Sequence, residues 1–221
     1  RTDALSVSDA YASRCYVVIA IDQALHGLTD TANPFYQAAN ERTFNVDLIN
    51  NTTNAPTPDG KIDPSGIHGL AAFVSNPLVA RDSLRQSEVD LGVFAKSIAA
   101  KLDLNGDGVQ DADGNRIHFT GLSLGAIVGI SHAKFSPGVK SAAVAAPGGV
   151  LTVNAMRSPA FTSVFNPALA ASSSFFVPNS TFYNNFYRDV QTLIDPADPI
   201  NHICECSQQQ PMVLFQVKGD Q

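Results

Sequence analysis

Residues 116–129 read Arg-Ile-His-Phe-Thr-Gly-Leu-Ser-Leu-Gly-Ala-Ile-Val-Gly, and Gly121-Leu122-Ser123-Leu124-Gly125 inside them is a G-x-S-x-G pentapeptide. A β-prone run, Ile117 to Thr120, leads in, and a helix of small and apolar residues from Leu124 to about Lys134 leads out. This order predicts a strand, a sharp turn and a helix. A serine on such a turn takes a strained backbone, and glycines beside it relieve the crowding. Its hydroxyl is lifted above the sheet, and the Leu124 N–H at the helix start faces a developing oxyanion. Ser123 is the candidate nucleophile. The plainer alternative is a glycine-lined turn that packs a helix closely on a sheet.

The rest of the chain reads as strands alternating with helices. Residues 3–14 read as a short helix, and Cys15 to Ile21 as an unbroken apolar, β-branched strand buried on both faces, with Cys15 at its start. Residues 33–80 are rich in Pro, Asn, Gly and Asp and read as a long irregular excursion. A helix follows from about Asp82 to Leu102, with Leu91, Phe94, Ala95, Ile98 and Leu102 on one face, and Ser87 with Asp90 resembles a capping box. Ser141–Ala146 and Met212–Val217 read as further strands. The expected class is α/β with a mainly parallel sheet and flanking helices, in one domain over 1–221. Six of the 13 phenylalanines fall in 151–190, at 161, 165, 175, 176, 182 and 186, so this stretch is a candidate cap or, equally, ordinary core under a long connection.

Composition narrows the function classes. At 221 residues with 44% hydrophobic and 15% charged content the chain is globular, and a net charge of −6 without a basic cluster argues against nucleic acid as partner. The longest apolar run, Tyr16–Ile21, is too short to span a bilayer. Low lysine with many Asn, Ser and Thr is compatible with a secreted or cell-surface protein. The chain opens at Arg1 without methionine, so a processed or trimmed product is expected.

A serine nucleophile needs a base and a carboxylate to orient it, in the chain order Ser, acid, His for this turn type. Asp220 follows the strand 212–217 and is the favoured acid. Asp195 and Asp198 compete, but their prolines mark them as turn and helix-cap residues. None of the five histidines is a clear base. His202 follows Asp195 and Asp198 too closely, and His118 and His132 read as satisfied core residues. His68 lies in the long loop, and His26 suits either the mouth of the site or a loop hydrogen bond. The simplest account puts the triad histidine outside this chain.

A second constellation runs from Asp103 to Gly114. Asp103, Asn105 and Asp107 alternate, Gly108 stands sixth, Val109 offers a carbonyl and Asp111 a direct or water-mediated ligand, the spacing of an EF-hand-like calcium loop. Gly114 stands where the bidentate glutamate belongs, and no second EF helix follows. The expectation is a structural calcium ion or a polar turn, with no cofactor for catalysis.

Taken together, several phrases in order resemble the bacterial extracellular lipases and phospholipases of the virulence-factor lipase group, within the α/β-hydrolase superfamily. They are Ala20-Ile21-Asp22 with Leu25-His26-Gly27, Glu41 to Asp47, Asp59 to Gly66, Arg81-Asp82 with Leu84-Arg85-Gln86, Asp103–Gly114 running into Gly121–Gly125, and Asp195–Asn201. The resemblance covers most of the chain. It implies an α/β-hydrolase fold, a lipid or other acyl-ester substrate, Ser123 as nucleophile and Asp220 as acid. It also implies an oxyanion loop before Arg1 and a histidine after Gln221, which would make this chain the middle of the enzyme and a further segment its partner. A transacylase on the same scaffold is the neighbouring enzymatic expectation. A non-catalytic, calcium-stabilised binding or surface module on a degenerate hydrolase fold is the alternative from another class.

Overall fold

The computed structural model describes residues 4–53, 55, 57–63 and 76–218. Three parallel strands, β1 (Ile117–Leu122), β2 (Val139–Ala145) and β3 (Met212–Phe215), lie side by side in the order β1-β2-β3. Register runs from Ile117 opposite Val139 to Leu122 opposite Ala145, and from Ala142 opposite Met212 to Ala145 opposite Phe215. All three therefore point the same way, and their C-terminal ends share one edge. The protein is a mixed α/β fold with a small parallel sheet and flanking helices. Among the described residues no helix is long and apolar enough to cross a membrane.

Helices flank this sheet, and those named next are the ones among the described residues. In chain order they are α1 (Leu5–Ala12), α2 (Pro77–Ala100), α3 (Leu124–Phe135), α4 (Leu151–Arg157), α5 (Pro159–Ser172), α6 (Thr181–Ile194) and α7 (Ile203–Gln209), with two single turns of 3-10 helix at Asp195–Ala197 and Pro199–Asn201. The central one is α3. Ala126, Val128, Ile130, Ser131, His132 and Ala133 are all buried, so it is covered on every side. Ala126 and Ile130 pack on Val144 of β2, and Val128 packs with Leu84 of α2 and with Leu151, Val190 and Ile194. Residues 151–194 form a helical layer with a core of its own, in which Ala155, Phe165, Leu169, Tyr183 and Tyr187 are buried against Phe161, Phe176 and Phe186. In α6, Tyr183, Tyr187, Val190 and Ile194 recur at helical spacing on its buried face, and Ser180 caps its first turn.

Four expectations need correction. Residues 16–21 belong to no strand or helix, and Tyr16, Val17 and Ile19 are exposed. The run has the propensity of a strand but makes no ladder with β1; the Tyr16 ring meets β1 edge-on at His118, 5.8 Å between centroids. Cys15 is likewise exposed, in a turn with φ 62°. The long helix starts at Pro77, five residues before Asp82, because Asn76 accepts the Val79 amide and Pro77 fits the first helical position. Ser87 is thus mid-helix and bonds the Ser83 carbonyl, and Leu102 lies beyond the helix end. His118 is exposed on β1, bonded to Ser141 Oγ at 2.8 Å, whereas His132 is buried as expected of a core residue.

The α2–α3 seam holds two titratable groups. Burial pushes the Glu88 carboxyl up from 4.5 to about 7, against smaller opposing effects of Ser131 and Arg85, and its Oε1 meets no hydrogen-bond partner among the described residues. Burial pushes His132 down from 6.5 to about 4. Between about 4.5 and 7 the folded chain holds more protons at Glu88 than the unfolded chain, so this group lowers stability as pH rises. His132 acts the other way between about 4 and 6.5, where the unfolded chain binds the extra proton. The two oppose each other in mildly acid solution, and above pH 7 only the Glu88 penalty persists. Glu88→Gln should therefore stabilise the fold at pH 8 by on the order of 1–3 kcal/mol and have little effect at pH 4. Urea unfolding at both pH values checks this; an equal change at the two would rule out ionisation as the cause.

Candidate active site

Ser123 stands between the last residue of β1 and the first of α3, with φ 51° and ψ −117°. A positive φ is unfavourable for any residue with a Cβ and costs on the order of 1–3 kcal/mol. Three backbone bonds hold it there. The Ser123 amide donates to the Ala145 carbonyl at 2.9 Å, and the Ala126 and Ile127 amides donate to the Ser123 carbonyl at 2.8 and 3.0 Å. The turn is thus tied to β2 on one side and to α3 on the other, and its serine is exposed. Leu124 and Gly125 supply the first amides of α3, which have no helical acceptor. Leu124 N–H, adjacent to Ser123, is thus one of the unpaired donors at the start of α3.

The two glycines of the pentapeptide are not equivalent. A Cβ on Gly121 would lie 2.5 Å from the Gly125 carbonyl oxygen and 2.9 Å from the Ala126 nitrogen, so the close approach of β1 to α3 requires glycine there. A Cβ on Gly125 would meet only the Gln23 amide nitrogen, at 3.9 Å. That contact also places Gln23 beside the start of α3. The same segment is tethered by the Ala24 amide, which donates to Ser87 Oγ of α2 at 3.2 Å.

Beside Ser123, at the same edge of the sheet, β2 runs into a loop with two more strained residues, Ala146 at φ 49° and Val150 at φ 55°. The Ala146 amide donates to the Phe215 carbonyl of β3 at 2.8 Å. At its far end the loop is pinned by Asp198. Its carboxylate is fully buried and accepts from the Val150, Leu151 and Ile200 amides at 3.1, 2.7 and 3.0 Å and from the Gln191 side chain at 2.9 Å. With both oxygens shared among four donors, Asp198 has no capacity left to orient a histidine. Asp195 accepts from Gln191 and Asn201 at the surface. The sequence gives no signal of the link between 198 and 150, because only the folded connection brings them together.

Asp220 and His68 lie outside the described residues. The chain leaving Phe215 emerges at the same edge as Ser123, two strands away, or roughly 10 Å at ~4.8 Å per strand. Each histidine within the described residues has at least one ring nitrogen paired. His26 Nδ1 is paired with the Ala24 carbonyl at 2.8 Å and His132 Nδ1 with Ser136 Oγ at 3.1 Å. His202 sits between Lys134 and the Pro196 carbonyl, at the opposite end of α3 from Ser123. Eleven helical residues separate Ser123 from Lys134, about 16 Å.

The Asp-rich loop folds as a series of side-chain turns. Asp103 accepts from the Gly106 and Gly108 amides at 2.7 and 2.8 Å, Asn105 from Asp107, Asp107 from Val109, and Asp111 from Leu104. Gly106 and Gly108 have φ 78° and 87°, which fit their place in the loop. The oxygens are of the right type for calcium but are turned onto amides, and among the described residues no group of three or more His, Cys, Asp or Glu converges as an ion would require.

Comparison of the chain with family models, curated proteins and solved structures gives no match.

The asymmetry of the pentapeptide can be tested directly. Gly121→Ala should destabilise the fold by about 2 kcal/mol or more, since backbone has to move. Gly125→Ala should be neutral or stabilise by up to about 1 kcal/mol through helix propensity. Paired thermal melts measure both; equal losses at the two positions would contradict the geometry.

Proposed function

We propose that this chain carries the nucleophile of a serine carboxylester hydrolase acting on acyl esters of lipids, on an α/β-hydrolase scaffold. The observation that carries the reading is Ser123 at φ 51° and ψ −117°, exposed on the turn between a parallel strand and a helix. Strain of this kind is maintained where a side chain must be presented rather than packed. In the proposed reaction Ser123 Oγ bonds to the ester carbonyl carbon while its proton passes to a histidine base. The Leu124 N–H gives half of the oxyanion hole. Collapse expels the alcohol, which takes the proton from the histidine. Water then attacks the acyl-serine by the same sequence in reverse. Asp220 is the proposed acid, consistent with a chain that emerges from β3 at the Ser123 edge, and the base is proposed to come from outside this chain. An alcohol in place of water would make the same site a transacylase. The aromatic layer at 151–190 is proposed to receive the acyl chain, and a secreted or cell-surface location suits that substrate.

A fluorophosphonate should label Ser123 in the product of the complete reading frame, and Ser123→Ala should remove both the label and at least ~10³-fold of esterase turnover. Absence of labelling, with activity unchanged in Ser123→Ala, would sink the reading. The second reading, a non-catalytic module that retains the fold, draws on the lack of a histidine assigned as base among the described residues. The same experiment decides between them.

For the Asp103–Asp111 loop we propose a structural part only, with calcium the ion its spacing suits. Binding would turn oxygens of Asp103, Asn105, Asp107 and Asp111, with the Val109 carbonyl, inward onto the ion. At a hundredfold excess over Kd, calcium would stabilise the fold by about 2.7 kcal/mol, so a chelator should lower the melting temperature of the wild type but not of Asp107→Ala. A melting curve unmoved by chelation would leave the loop as a turn.

A further inference from the structure

From residue 158 to 187 the chain contains no Asp, Glu, Lys, Arg or His, in a protein whose charged content is 15%. This stretch covers α5, the turn after it and the first half of α6. Its interior is an aromatic ladder: Tyr183 stacks edge-on to Tyr187 at 4.9 Å, Phe186 to Tyr187 at 5.3 Å, and Phe176 to Phe186 at 5.0 Å. The ladder does not end inside the protein. Phe176 passes it to Phe182 at 5.0 Å and Phe182 to Phe175 at 5.8 Å, and there the side chains turn outward. Phe175 is 69% exposed, Val177 57% and Phe182 50%.

The tip is rigidly built. Phe176 donates to the Ser173 carbonyl at 3.2 Å, Val177 to Phe175 at 2.9 Å and Ser180 to Val177 at 3.0 Å, and Ser180 caps α6. It also lies at the far end of α6 from the sheet-side core. Ile194, at the other end of α6, is buried in the cluster with Val128 and Leu84, and twelve helical residues put Phe182 about 18 Å from it. The polar residues next to these side chains in the sequence are uncharged: Ser174, Asn179, Thr181 and Asn184 are exposed and Ser173 is half-buried.

We infer that the Phe175–Val177–Phe182 tip docks this protein onto a neutral or zwitterionic lipid surface. The apolar side chains reach the acyl boundary, and the neighbouring Ser, Asn and Thr side chains meet the headgroups. The charge pattern selects this partner: the tip offers no cation for an anionic surface, and the chain's net charge of −6 opposes one. Size argues against a second copy. At roughly 200 Å² for a whole phenylalanine side chain, the three exposed groups offer on the order of 300 Å². A stable protein interface takes about 800 Å² from each partner. The inference rests on the ester-hydrolase reading only for why a lipid surface is visited, because docking does not involve Ser123.

The chain has no tryptophan, so Phe175→Trp gives a single reporter at the tip. With phosphatidylcholine vesicles its emission should shift to the blue, and the shift should persist at high salt. In sedimentation with the same vesicles, Phe175→Ser/Phe182→Ser should lower partitioning at least tenfold, while its far-UV circular dichroism and melting temperature stay at the wild-type level, since both side chains are at least half exposed. Ser123→Ala should bind the vesicles like the wild type. Vesicle binding by Ser123→Ala with no esterase activity in the wild type would leave the docking intact and defeat the hydrolase reading. Esterase activity without vesicle binding or a blue shift would overturn the docking alone. Binding only to phosphatidylserine vesicles, or a concentration-dependent dimer that the double variant abolishes, would overturn it as well.

Discussion

The last turn of β1 and the first turn of α3 approach so closely that Gly121 has backbone where its side chain would be. That approach sets the direction of α3 over the sheet, and α3 is the element on which the other layers rest. Gly129 extends the same constraint one turn on, where an added Cβ would strike the Phe119 ring. Small residues on β2, such as Ala142 and Ala143, allow helices to lie close to the strand. Once α3 is fixed, α2 packs along one flank, α7 along another through Cys206, and the ends of α4 and α6 meet its apolar side at Val128. Ser123 takes its unfavourable backbone because β2 and α3 both bond to it, so the strain is borne by the most buried part of the molecule.

Local patterns in the sequence were sufficient for some of this. The strand, turn and helix from Ile117 to Phe135 could be read because propensity, glycine placement and hydrophobic pattern agree along consecutive residues. The same holds for β2 and for β3 as far as Phe215. Residues 16–21 mislead for the opposite reason: a strand exists only by pairing, and apolar β-branched residues advertise the propensity without naming a neighbour. The start of α2 was legible in Asn76-Pro77 but obscured by the loop-like composition before it.

At the candidate site the division is similar. Ser123 and the first amide of α3 follow from a five-residue motif. The His118–Ser141 pair depends on strand register, and the Asp198 clamp on Val150 and Leu151 depends on a connection of nearly fifty residues. Neither has a local signature. Asp198 could be read as a turn residue from its following proline, but its complete burial and four donors could not.

The outer edge of β3 carries a further consequence. Among the described residues no strand lies beyond it, and Val213, Leu214, Phe215 and Val217 are all exposed there. A short apolar edge with free backbone groups is a template on which another extended segment can add. Lys218 is the charge that stands next to it. In concentrated solution or during refolding, an uncovered margin of this kind favours association between copies. A lysine or proline placed within Val213–Phe215 would be the gatekeeper that the edge otherwise lacks.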